Sequence, residues 1–463
     1  MDYLPLIAFM ITIVLLFIAL IKFKISPPIA MFCAAILMGL LSGMEVSQVL
    51  SFLSSGFGAT MSSLGLVIAF GSIFGSALSA SGATEEMAKG LLRSFGSKND
   101  YLALNIAGYI ISIPVYFGSA YIMLSPLLNS LQKLTKKRLA SYCVSLFTGL
   151  LLAHCVVAPT PGPVAVAAQM GVNLGWFIIY GIIVSFPASL ISGWLFAKII
   201  DKKPSELTEE EKKEEAAEVK NILNDKDLLA PDPTKPSAKL AVSLVLFPIV
   251  LIIVGAICEI AFSAENPIVK TLIFLGNNNI ALFLAAMVTL IVLRKYLIPE
   301  KGETISKVFE GSASEVGLMM IVLGVGGSFG TIIGNSGLAQ LLIQILSGLN
   351  MPVSILAFLL AMLFRAAVGS GTVAMLTTVA VFAPIAAGMG ASPTIVGLAI
   401  CAGACGLTLP TDGAFWLPQW FNKLSVKEIF STITTSSTLA SILTLIMVLI
   451  LDMFSGSLPG MFF

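Results

Sequence analysis

Long apolar runs alternate with short polar turns along almost the whole chain. The runs at 4–21, 26–43, 64–81, 176–199, 240–262, 279–293, 316–334 and 433–452 each approach the roughly 20 residues that cross a bilayer as a helix. Pro27 and Pro28 open the second run at a helix start, where proline is tolerated. Four stretches depart from this pattern. Residues 102–128, interrupted at IPVYFGSAY, are too long for one crossing and too short for two, and they read as a re-entrant hairpin with its tip near Gly118. Residues 352–387 have the length of a second hairpin. Residues 142–170 and 393–420 read as helices broken in mid-span. In the first of these, Pro159, Pro161 and Pro163 remove three amide donors, so the helix must open there. Irregular backbone at membrane depth survives only where it is packed in protein or lines a polar cavity, and carriers build their solute and ion sites from such breaks.

Two further segments are polar. In 83–97, Met87, Leu91, Leu92 and Phe95 share one face with Glu86, Lys89 and Arg93 elsewhere, which predicts a helix lying along the interface. Residues 201–239 hold 19 of the chain's 51 charged residues and four prolines, and they read as a solvated cytoplasmic linker with a short helix at TEEEKKEEAAEVKNIL. At 57% hydrophobic and 11% charged residues, with a mean hydropathy of +0.98, the chain is far too apolar for a soluble globule. It reads as a polytopic protein of the lipid bilayer, with no nucleic-acid partner. The six cysteines all fall in apolar runs and read as buried thiols. The run Leu4 to Ile21 lacks a basic N-terminal region and an obvious cleavage site, so it reads as a retained span.

Charge orients this layout. With the N-terminus outside, ten crossings and two hairpins that do not cross, 24 of the 26 Lys and Arg fall on the cytoplasmic side, and both termini lie outside. Only Lys270 lies outside and Arg365 within a hairpin. The halves also repeat. Gly71-x-x-Phe74-Gly75 with Ser81-Gly82 recurs as Gly326-x-x-Phe329-Gly330 with Ser336-Gly337; Gly118-Ser119 recurs as Gly369-Ser370, and Pro159-Thr160-x-Gly162 as Pro410-Thr411-x-Gly413. Five crossings separate corresponding spans, an odd number, so the repeats are inverted. The expected organisation is a first repeat at 1–200, the linker at 201–239 and a second repeat at 240–463, an all-α architecture typical of secondary transporters.

Candidate chemistry gathers at the hairpins and breaks. Arg365 lies about 20 Å along its hairpin, beyond easy snorkelling reach. An unpaired arginine in hydrocarbon costs from about 3 to more than 10 kcal/mol. A substrate-facing guanidinium fits a carboxylate; a structural ion pair is the competing reading. Gly118-Ser119 and Gly369-Ser370-Gly371-Thr372 would offer amides and hydroxyls at the hairpin tips, or serve as turn chemistry alone. Asp412, at the second break with Thr411 and Gly413, reads as a proton carrier or as the N-cap of the helix starting at Ala414. His154, the only histidine, reads as a proton carrier or a satisfied core residue. No metal site and no cofactor are expected; the coupling ion is H⁺, with Na⁺ as the variant.

The run His154–Pro163 with PTPGP, the stretch GLVIAFGSIFGSALSASG, and RAAVGSGTVAML with DGAFW together resemble the gluconate permease family, in the ion transporter superfamily of elevator-type carriers. The resemblance covers most of the chain outside the linker. It implies proton-coupled uptake of a sugar acid or similar hydroxy acid, a homodimer in the bacterial inner membrane, and site roles for Arg365, the Gly-Ser tips, His154 with Thr160 and Gly162, and Asp412. Gluconate-type members carry Ser-His-Val-Asn-Asp before the Phe-Trp pair, where this chain has Thr408-Leu409-Pro410-Thr411-Asp412. Fructuronate, glycerate and D-serine therefore stay open beside gluconate. An intramembrane enzyme is a poor fit, since the chain lacks G-x-S-x-G and H-E-x-x-H. A channel is the remaining rival.

Overall fold

A computed structural model describes residues 3–96, 99–201, 229–262, 266–297, 305–338, 341, 352–388 and 390–461. Among them the regular structure is helical throughout. The first half comprises α1 (Leu4–Ile21), α2 (Pro27–Leu41), α3 (Val46–Ala80), α4 (Ala83–Phe95), α5 (Asp100–Ile111), α6 (Phe117–Thr135), α7 (Leu139–Val156), α8 (Pro161–Gln169) and α9 (Leu174–Ser189). The last continues through a π-helical turn at Leu190–Leu195 to Ile200. The second half comprises α10 (Ala238–Ala261), α11 (Pro267–Gly276), α12 (Asn278–Leu293), α13 (Ile305–Asn335), α14 (Val353–Val368), α15 (Gly371–Gly388), α16 (Pro393–Gly403), α17 (Gly413–Asn422) and α18 (Thr435–Asp452). A succession of long helix, hairpin, broken helix and closing helix thus occurs twice. Five of the described helical stretches are long and apolar enough to cross a membrane on length and composition alone, or six with the bent pair Val46–Ser62 and Gly65–Ala80. Shorter apolar segments of 10–17 residues include both arms of the second hairpin, Val353–Val368 and Gly371–Ala386.

The most extensive helix pairing is α3 with α13. Both helices begin before the apolar runs at 64–81 and 316–334, and the early turns of α3 pack by close backbone approach on the apolar part of α13. A Cβ on Gly56 would lie 2.6 Å from the Gly327 carbonyl oxygen, and one on Gly327 would lie 1.9 Å from Thr60 Oγ1. Ser328 Oγ donates across the crossing to the Leu53 carbonyl at 2.6 Å. Small residues and hydroxyls are what hold helices together where lipid offers no hydrophobic contrast.

The broken helix α7–α8 forms the centre of the molecule. Every residue of α7 from Ala140 to Val156 is buried, which explains an apolar surface all round. Both arms of the first hairpin, α5 and α6, pack on it, whereas α14 and α15 of the second pack on each other. Gly149 meets α5 so closely that a Cβ would lie 2.2 Å from the Asn105 carbonyl oxygen. At the hairpin's base, buried Asp100 accepts from Lys137 Nζ at 2.8 Å, from the Tyr142 hydroxyl at 2.5 Å and from the Tyr101 amide at 2.8 Å.

Three expectations change. The first hairpin turns at 112–116, with Ser112 Oγ donating to the Val115 carbonyl at 3.3 Å, and Gly118 lies in the first turn of α6. α4 does not merely lie along an interface: Glu86, Met87 and Leu92 are buried, and the helix packs between α5 and α10. Helix α11 had no counterpart in the hydrophobic pattern, being only 10 residues long. Of the charged linker, 229–237 dock on α4: Arg93 donates to the Leu229 carbonyl, the Asp232 amide to Glu86 at 3.4 Å, and Lys235 pairs with Glu85. Burial pushes the Glu85 carboxyl's pKa up, but Lys235 and Lys89 more than offset this and leave it below the ordinary carboxylate value. The helix expected at TEEEKKEEAAEVKNIL lies outside the described residues.

The crossing of α3 and α13 generates a test. Gly327→Val overpacks it and is expected to lower stability by about 1–3 kcal/mol. Gly58→Val, where an added Cβ meets nothing within 4 Å, is expected to leave the midpoint unchanged. Thermal unfolding of both variants in detergent distinguishes them, and equal midpoints would refute the crossing.

Candidate functional site

The second hairpin turns on two residues between α14 and α15. Gly369 sits at φ +72°, and its amide donates to the Arg365 carbonyl at 2.9 Å, closing α14 with a left-handed cap. A Cβ at Gly369 would also lie 2.1 Å from the Thr411 carbonyl oxygen, so glycine is required twice over. Ser370 starts α15: its carbonyl accepts from the Ala374 amide at 3.0 Å and its hydroxyl oxygen from Val373 at 3.4 Å. Thr372 follows, half-buried, and Gly371 is buried.

This tip meets the second break. Thr411 Oγ1 donates to the Ala366 carbonyl at 3.0 Å. Asp412 accepts the Ala414 amide on Oδ1 at 2.8 Å, capping α17, while its Oδ2 pairs with Arg365 Nη2. The two side chains are only 4% and 8% exposed. The cap and the ion pair use different oxygens, so the two readings of Asp412 are compatible. Arg365 Nε is buried without a partner, and Nη1 lies 3.2 Å from where a Cβ on Gly371 would be, as does Cys155 Sγ. Gly413 is exposed, and an added Cβ there would meet nothing within 4 Å. Open space therefore adjoins the ion pair at the N-terminus of α17.

The tip meets the first break as well. A Cβ on Gly162 would lie 2.3 Å from Met375 Cε and 3.8 Å from Thr372 Cα. Thr160 Oγ1 donates to the carbonyls of His154 at 2.8 Å and Val157 at 2.9 Å, acceptors that the break in the helix leaves open. His154 is 8% exposed, with Nδ1 buried and unpartnered. Its ring meets the edge of Tyr116 at 5.2 Å between centroids and 89° between planes. Tyr116 belongs to the turn of the first hairpin. Gly118 and Ser119 are half-buried one step along α6, where an added Cβ on Gly118 would meet only the Tyr116 ring, at 3.2 Å. The second hairpin's tip thus touches both breaks, and the first hairpin's turn reaches the His154 break through Tyr116. Tyr116 and Cys155 were not singled out from the sequence, although each adjoins a residue that was.

Chemically, the arrangement offers a guanidinium for a carboxylate, a carboxylate beside it, a helix N-terminus and an unpartnered imidazole nitrogen. The described residues hold no group of three or more His, Cys, Asp and Glu able to take a metal.

In fold, the chain is similar to the YdaH transporter of Alcanivorax borkumensis, with a TM-score of 0.61, 15% identity and 89% of each chain covered. In sequence, it is 33% identical over 437 residues to the D-serine transporter DsdX of Escherichia coli CFT073, covering 94% of this chain and 95% of that protein. It is 29% identical to the Gnt-II system L-idonate transporter of E. coli K12, covering 97% and 99%. It is 28% identical to a gluconate permease of Pseudomonas aeruginosa, covering 96% of each. The model of the GntP family permease matches residues 4–454, and with these relatives it assigns the protein to that family of helical membrane permeases.

Proposed function

We propose that this permease imports a small organic acid anion by proton symport, moving its two hairpins and broken helices as one body by an elevator-type motion within a homodimer of inverted repeats. One observation carries the reading: the buried Arg365–Asp412 pair lies where the second hairpin's tip meets the second break. An incoming carboxylate competes for the guanidinium. Asp412, left without its partner in a desolvated site, then takes up a proton, so that anion and proton load together. The unpartnered Nε of Arg365 and Nδ1 of His154 are further places for a hydroxy acid to bond.

A second reading rests on the same pair. A zwitterion such as D-serine, the substrate named for one relative, would place its carboxylate on Arg365 and its ammonium on Asp412, and no proton would be needed. Titration calorimetry of purified protein with D-gluconate and with D-serine, in buffers of different ionisation enthalpy, separates the two. Symport of an anion predicts uptake of one proton and affinity rising by about tenfold per unit fall in pH. Zwitterion binding predicts neither. If neither compound nor any other small carboxylate binds, the proposal fails.

Two variants test the roles. Arg365→Gln is expected to weaken binding by at least about tenfold, the lower end for a charged hydrogen bond, and to abolish uptake. Arg365→Lys keeps the charge without the fork and is expected to fall between. Normal affinity in Arg365→Gln would make the arginine structural. Asp412→Asn mimics the protonated form. In proteoliposomes it is expected to exchange substrate with little pH dependence and to fail to concentrate it; accumulation driven by an imposed proton gradient would shift the role to His154.

A further inference from the structure

Helix α17 is short, with Pro418 inside it, and is clamped at both ends. At its start, Asp412 ties it to Arg365 on the second hairpin. At its end, Asn422, only 3% exposed, faces α6 of the first hairpin. The Tyr121 hydroxyl donates to Asn422 Oδ1 at 2.7 Å. Asn422 Nδ2 donates to Asn129 Oδ1 at 2.9 Å and to the Ser125 carbonyl at 3.3 Å, and Asn129 Nδ2 donates to the Phe421 carbonyl at 3.0 Å. Both hydrogens of the Asn422 amide and one lone pair of its carbonyl are used. The Tyr121 ring is fixed in turn by Phe117 and Phe147, at centroid distances of 6.4 and 5.9 Å. About 15 Å of helix, at 1.5 Å per residue, therefore runs from the ion pair to this ladder. No other described contact of this polar kind joins α6 to the helix that Asp412 caps.

We infer that Tyr121, Asn129 and Asn422 are positioning residues that anchor α17 to the first hairpin, so that release of Asp412 from Arg365 reaches α6. The inference rests on the ion pair acting as the substrate site. With the ladder intact, loss of the pair frees only the first turn of α17, which then pivots about Asn422. Without the ladder, α17 keeps its Phe415 packing but loses its polar tie to α6, and the first hairpin receives no signal that the second is loaded. These residues touch neither Arg365 nor the open space at Gly413, so they should govern the transport step and not the affinity.

Tyr121→Phe deletes one hydroxyl and keeps the ring, and Asn422→Ala removes the hub. The probe is the small carboxylate, D-gluconate and D-serine tried first, that binds wild-type protein by calorimetry. Absence of binding by any small carboxylate would defeat the functional proposal and is thereby distinguishable from failure of this one. Both variants are expected to keep the Kd within about twofold and to lose at least about tenfold in the maximal uptake rate, equivalent to about 1.4 kcal/mol in the barrier. Hydrogen–deuterium exchange supplies the second readout: substrate should change exchange in 117–135 of wild-type protein, and this change should vanish in the variants. If Asn422→Ala fails to fold, Asn129→Ala at the partly exposed end of the ladder replaces it. An unchanged rate, a Kd weakened as much as the rate, or persistence of the substrate effect on 117–135 would each overturn the inference.

Discussion

The Arg365–Asp412 pair sets the terms for the rest of the site. Either charge alone in a membrane interior would be strongly unfavourable, and removing one partner from a buried pair typically costs about 3–5 kcal/mol. The backbone is therefore built to bring a hairpin tip and a helix break together. Gly369 lets α14 end in a left-handed turn and leaves room for the Thr411 carbonyl 2.1 Å from where a Cβ would stand. The break at 404–412 extends the chain far enough for Asp412 to serve α17 with one oxygen and Arg365 with the other. Thr411 adds a bond to the Ala366 carbonyl. Each feature is intelligible as a consequence of having to neutralise one arginine away from water.

The same constraint operates on uncharged groups. Breaking α7–α8 leaves carbonyls without helical donors, and Thr160 supplies one hydroxyl to two of them. Asn105 does the equivalent between helices, donating to the Ser145 carbonyl at 3.0 Å and accepting from Ser189 at 3.1 Å. These side chains lie on apolar helices, where the alternative to an internal partner is an unsatisfied polar group in lipid or protein interior. Glycines at 56, 149 and 327 bring backbones close enough for such short side chains to reach.

What could be read from the chain followed from local rules. Apolar length gave most helix positions, and proline gave the opening between α7 and α8, where Pro161 begins α8. Gly369-Ser370 were identified as a turn because two small residues interrupt an apolar run. The matching pair Gly118-Ser119 misled: the turn at 112–116 comes earlier, around Pro114, and the small residues serve α6 beside Tyr116. The early turns of α3 escaped notice because hydrophobicity does not register a helix that packs by one narrow face, here Val49, Leu53, Gly56 and Thr60, and leaves most of the rest exposed. Asp412 could be named as a partner for Arg365 only on the condition that the hairpin tip meets the helix break, and the partner of Tyr121 was invisible altogether. Tyr121 and Asn422 lie 301 residues apart, and no spacing rule connects positions that only the assembled fold brings within 2.7 Å.

A pair of opposite charges has one property that a lone arginine would lack. Empty, the proposed carrier presents zero net charge at this site. Loaded with a monoanion and a proton it is again neutral, and loaded with a zwitterion it is neutral a third way. Two half-loaded states carry net charge: the anion bound with Asp412 still ionised, and Asp412 protonated with no anion bound. A charged site must cross the bilayer against the cost of desolvation, and each elementary charge is also worth about 2.3 kcal/mol per 100 mV of membrane potential. A motion that carries the site through the membrane would therefore be fast for the empty and fully loaded forms and slow for both half-loaded ones. Coupling would then need no separate gate for the proton. It follows from placing one carboxylate against one guanidinium, at a point where the low dielectric makes any imbalance between them expensive.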